Sequence, residues 1–251
     1  MFDIKKFQEY PEIQPYIEKL NKYLDKDKIS KIPKILNKFE NLIQKKEYRV
    51  PITYILSFLI EEYPSLISKP LLENVKTFIT SENENLQLNS IIILGFYILD
   101  KEELISFEHI KLFSELLFSN SKDIKENAYF FLQKIAQIKP ELICSQKTQF
   151  LRALSIEIDN EKNCITLLGF LVQCNSFNFK NSYKLREILI KLIQKYFNKG
   201  EKIKSNIIAV IKRFFPSIEG IDFLKVESTK IINILEKLFL MKKYDFSAIS
   251  P

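Results

Sequence analysis

The side chains best suited to catalysis or metal binding are few and scattered. The chain has one histidine, His109, and three cysteines, Cys144, Cys164 and Cys174. Histidine titrates near neutrality and can act as a general base. A thiolate beside it would be a nucleophile. His109 lies between Glu108 and Ile110 at the start of a predicted helix. It reads either as such a base or as a polar helix-start residue, and nothing in the sequence requires a cysteine to meet it. The cysteines are odd in number and lack C-x-x-C spacing. They read as reduced thiols of a core or groove, not as a zinc site or disulfide framework. One histidine excludes a histidine-rich metal site. The four glycines, Gly95, Gly169, Gly200 and Gly220, build no phosphate-cradling loop. No catalytic residue, cofactor site or metal site is assigned, and the expectation is a protein that is not an enzyme.

Charge is the next candidate for function. The formal net charge is +7 and the isoelectric point near 9.0. Only Arg49, Arg152, Arg186 and Arg213 are arginine; the other basic residues are lysine. Arginine is preferred for bidentate phosphate and base contacts, so its scarcity weighs against nucleic-acid recognition. The charge is uneven: +4 over residues 1–50, −4 over 51–150 and +7 over 151–251. Lys180, Lys184, Arg186, Lys191, Lys195, Lys199, Lys202, Lys204, Lys212 and Arg213 are opposed only by Glu187 and Glu201 within residues 180–213. Lys180, Lys184, Lys191 and Lys195 fall on one side of a predicted helix, opposite Leu185, Ile188, Leu189, Leu192 and Tyr196. This basic stripe has two readings: a solvated face in a lysine-rich chain, or a docking surface for an acidic protein, nucleic acid or anionic lipid.

The elements that must position these residues recur along the chain. Pro64-Ser65-Leu66-Ile67-Ser68 is followed 38 residues on by Glu102-Glu103-Leu104-Ile105-Ser106, and 38 later by Pro140-Glu141-Leu142-Ile143-Cys144. Lys26-Asp27-Lys28-Ile29-Ser30 is a weaker earlier copy, and Pro216-Ser217-Ile218 a later one. Each unit reads as two helices. The first is amphipathic, as in Leu71, Leu72, Val75, Phe78 and Ile79. The second, over residues 84–99, is apolar nearly all round and must be sandwiched between neighbours. Ser81-Glu82-Asn83-Glu84 predicts a capping box before it. On the 38-residue step Arg49, Gln87, Lys125 and Asn163 form a ladder beside the turns, read as inter-repeat hydrogen bonding or, alternatively, a ligand groove.

The strings Ile124-Lys125…Ala128…Leu132, Ile203-Lys204…Ile207…Ile211 and Leu86-Gln87…Ser90…Leu94 carry a resemblance. The pattern resembles the HEAT/armadillo superfamily over about residues 29–240. A tetratricopeptide array is the nearest competitor, but its period is about 34 and it relies on tryptophan, which this chain lacks. The resemblance implies an all-α, right-handed α-solenoid of about five helical hairpins. Residues 1–28 are expected as an N-terminal helical cap, 29–220 as repeats, 221–241 as a C-terminal capping helix and 242–251 as a tail, all in one domain. The fold implies a non-catalytic scaffold or adaptor docking a protein partner. Polyanion binding through the basic C-terminal third is the alternative. A HEAT-like DNA glycosylase is a third reading, disfavoured by the missing tryptophans and acidic middle. The longest apolar run, Ile91–Leu99, is about half a membrane span, and the start Met1-Phe2-Asp3-Ile4-Lys5-Lys6 has no secretory apolar region. A reducing, cytoplasmic setting is expected.

Overall fold

A computed structural model describes residues 2–174, 179–198, 201–214 and 229–233, excepting the side chains at 179–183 and 213–214. Every regular element among them is helical, and none is a strand. No helix among the described residues is long and apolar enough to cross a membrane. The expected tail lies outside the described residues, as does the expected C-terminal helix apart from 229–233.

The chain divides into two compact units. The first comprises residues 1–105 and 120–127, the second 106–119 and 128–251. In the first unit a 3-10 turn, Ile4–Phe7, precedes α1 (Gln14–Asp25), α2 (Pro33–Leu42), α3 (Arg49–Glu62), α4 (Lys69–Lys76) and α5 (Glu84–Asp100). Proline opens α2 and stands within the first turn of α4, where its missing N–H costs nothing. Helix α2 buries Ile35, Leu36 and Phe39, a single stripe. Helices α3 and α5 instead bury residues around most of their circumference and pack along each other. The sequence's all-round apolar second helix is therefore α5, with α4 packed against another of its sides.

The strings that recur every 38 residues have a structural meaning. Ile29–Lys31, Pro64–Leu66 and Glu102–Leu104 are each a 3-10 turn, and Pro140–Ile143 is a one-turn helix, α8. Each precedes the first helix of a pair. The expected capping box is displaced: Asn83, not Ser81, caps α5 by accepting from the Leu86 amide at 3.0 Å. The Ser81 hydroxyl accepts from the Asn83 amide instead.

The second unit holds α6 (Phe107–Leu116), the greater part of α7 (Lys122–Ile138), α8, α9 (Lys147–Ile156), α10 (Glu161–Val172), α11 (Phe179–Tyr196) and α12 (Glu201–Phe214). Helix α10 packs on α9 and along α12, while α9 also meets α6 and α11. Phe113 on α6 and Phe131 on α7 are fully buried, their ring centroids 5.3 Å apart. His109 stands in the first turn of α6, where its Nδ1 accepts the Ser106 backbone N–H at 3.3 Å. That is a helix-start role, one of its two sequence readings.

Candidate binding groove

Helices α7, α10 and α12 enclose an open groove of about 790 Å³. Gln133, Ala136 and Gln137 come from α7, and Lys202 and Asn206 from α12. Helix α10 contributes Glu161, Lys162, Ile165, Thr166, Gly169, Phe170 and Gln173. Helical spacing explains the selection: Gln133 and Gln137, Lys162 and Thr166, and Lys202 and Asn206 are each four apart, so each pair lies on one face.

Carboxamides stitch the three helices together. Gln133 Nε2 donates to Thr166 Oγ1 at 2.6 Å, joining α7 to α10. Thr166 in turn donates to the Lys162 carbonyl at 3.2 Å. From the other side, Asn206 Nδ2 donates to the Ile165 carbonyl at 2.9 Å. One turn beyond these stitches on α10 lies Gly169. A Cβ built there would meet no atom within 4 Å, so glycine is not required by packing. The lining combines apolar Ala136, Ile165 and Phe170 with amides that carry both donors and acceptors and with charged Glu161, Lys162 and Lys202. Such a surface can hold a chain of alternating amide groups.

Three of the ladder residues bond back within their own helix pair, and Arg49 also reaches the next. Arg49 Nη2 donates to the Gln44 carbonyl at 3.3 Å, with its guanidinium 5.1 Å from the Phe78 ring centre. Gln87 Nε2 donates to the Ile79 carbonyl at 2.8 Å. Asn163 Nδ2 donates to Glu157 Oε2 at 2.9 Å. These three bonds run from the start of a second helix back to the preceding turn, where inter-repeat bonding was expected. Lys125 occupies the corresponding position at the start of α7.

The basic stripe is partly engaged. Lys184 and Lys191 are exposed on α11, and Lys202 is exposed on α12. Lys195 is bound to Asp159 in the turn before α10, which raises its pKa, while Tyr196 Oη donates to the neighbouring Ile158 carbonyl at 3.0 Å. Lys195 thus pins α11 to that turn. Lys204 lies 4.9 Å from the Phe197 ring centre. Arg186 and Lys212 are half-buried. Lys199 and the side chains of Lys180 and Arg213 fall outside the described residues.

The cysteines are not brought together into a site. Cys164 is buried and donates to the Glu157 carbonyl at 3.1 Å. Burial, with Glu157 nearby, pushes its thiol up to about 12. Cys174 is also buried, and Cys144 is half-exposed. Close to Cys164 and Glu157, Tyr129 is buried with its hydroxyl making no hydrogen bond. An orphaned buried hydroxyl carries a desolvation penalty that its phenyl analogue lacks. Tyr129→Phe is therefore expected to stabilise the protein by about 1 kcal/mol. A urea titration would show this as a raised midpoint; a lowered one would reveal a hydrogen bond lost.

Sequence reasoning missed the groove residues Gln133, Gln137, Thr166, Gln173 and Asn206. The four-residue spacing of Gln133 and Gln137 was available as a signal, but similar polar spacing occurs on any solvated helix face.

No family model matches this chain, and no curated protein matches it. Among solved structures, it is similar to an engineered protein from the Northeast Structural Genomics Consortium, with 12% identity and a TM-score of 0.47. That similarity covers 79% of this chain and 96% of the other.

Proposed function

We propose that the chain is a non-catalytic binding scaffold, a HEAT/armadillo-like right-handed α-solenoid of about five helical hairpins. Its α7–α10–α12 groove holds an extended segment of a protein partner. The observation carrying this reading is the groove itself. Its volume of about 790 Å³ lies in the range of ligand sites, its lining is open at Gly169, and it presents carboxamides that can pair with a peptide backbone. The packing of α3 along α5 and of α10 along α12, with first helices α9 and α11 also in contact, supports the repeat reading. Amide pairing and apolar contact tolerate salt, whereas phosphate-driven binding falls steeply with it.

Gly169 provides the test. Gly169→Ala is expected to stabilise the protein by about 0.5–1 kcal/mol, because glycine is a poor helix former and the new methyl meets nothing. Gly169→Arg keeps the helix but fills the groove. Partners captured by the wild-type protein in high salt, and shown to bind directly after purification, should lose at least tenfold in affinity for Gly169→Arg and retain it for Gly169→Ala. Equal affinity for the arginine variant would place docking elsewhere. Loss of capture by moderate salt alone would favour polyanion binding instead.

A further inference from the structure

The first unit contains a second cavity, independent of the groove reading. It occupies about 390 Å³ between the N-terminal 3-10 turn, the start of α3 and the start of α5. This is the scale of a small-molecule site. Tyr10, Tyr54 and Leu88 provide ring and aliphatic walls, with Phe7 buried behind them and its ring centre 6.3 Å from that of Tyr54.

Two features make the cavity more than a surface dimple. Asn89 lines it although only 8% exposed. Its Nδ2 makes a single long contact, 3.4 Å to Thr53 Oγ1, and its other N–H and its carbonyl oxygen make no hydrogen bond. That oxygen is open to the cavity, where a polar group entering it can be paired. Four residues earlier on the same helix face, Asn85 adds a second amide. At the mouth, Lys6 is exposed, with its ammonium 5.8 Å from the Tyr54 ring centre and in no ion pair among the described residues.

Aromatic walls alone would suit a cation. Here the protein supplies the cation, because Lys6 already stands over the Tyr54 face. A second positive charge would be repelled, and an anion would be paired. We propose that this cavity is a binding site for a small aromatic carboxylate, with its ring between Tyr10, Tyr54 and Leu88, its carboxylate toward Lys6, and Asn85 and Asn89 hydrogen-bonding its polar end.

The test uses three probes of one shape: 3-phenylpropionate, 3-phenylpropylamine and 3-phenylpropan-1-ol, titrated by NMR against the full chain. The acid is expected to bind at least fivefold more tightly than the amine. Lys6→Met, at an exposed position, should abolish that preference while leaving the alcohol's affinity within twofold. Asn89→Leu should weaken all three. Gly169→Arg should change none of these values, which separates this site from the groove of the second unit. Undetectable binding of the acid, equal binding of acid and amine, or an acid preference that survives Lys6→Met would each overturn the assignment.

Discussion

Ile124→Asp is expected to lower stability by about 3–5 kcal/mol, seen as a large fall in the urea midpoint. Ile124 is only 1% exposed, in the first turn of α7. Two effects of the new carboxylate oppose each other there. An acid near a helix N-terminus gains about 0.3–1 kcal/mol from the macrodipole. Burying an unpaired carboxylate costs several kcal/mol, so burial dominates. Ile124→Val removes one methylene and should cost about 0.5–1.5 kcal/mol. A midpoint for Ile124→Asp close to that of Ile124→Val would show that this position can reach water.

Phe150→Ala should be comparably severe, at about 3–5 kcal/mol, because a buried phenyl leaves a cavity that neighbouring side chains fill only in part. Phe150 on α9 is fully buried, and its ring lies 5.0 Å from that of Phe170 on α10. Phe170 also lines the groove. The same substitution is therefore expected to weaken partner binding in the proportion that still folds, because Phe170 loses a ring it packs against. Phe150→Leu keeps most of the volume and should keep most of both properties. Full partner affinity in folded Phe150→Ala would separate the groove from the core beneath it.

The helices were legible in the sequence because burial patterns are periodic. Leu86, Ile91, Leu94 and Tyr97 announced a second helix apolar on most sides, and α5 has that character. The recurring Pro64, Glu102 and Pro140 strings marked real junctions, since proline and short polar runs end helices for local reasons. Hydrogen-bond partners were less legible. Arg49, Gln87 and Asn163 share a register, but register does not reveal which carbonyl or carboxylate a flexible side chain will meet. Lys195 looked like its neighbour Lys191 in sequence; only the turn carrying Asp159 distinguishes them. The groove depends on three helices brought together from distant parts of the chain. Nothing local to Gln133 or Asn206 signals the others.

The short reach of the ladder bonds has a kinetic consequence. Arg49 spans five residues to Gln44, Gln87 eight to Ile79, and Asn163 six to Glu157. Closing loops of this length takes about 10–100 ns and little entropy, so each of these turns can form before any distant segment arrives. Contacts of such low sequence separation favour rapid folding. The turns close locally, but α3 packs along α5 and α10 along α12, so native-state hydrogen exchange is expected to open each of these helix pairs as one unit.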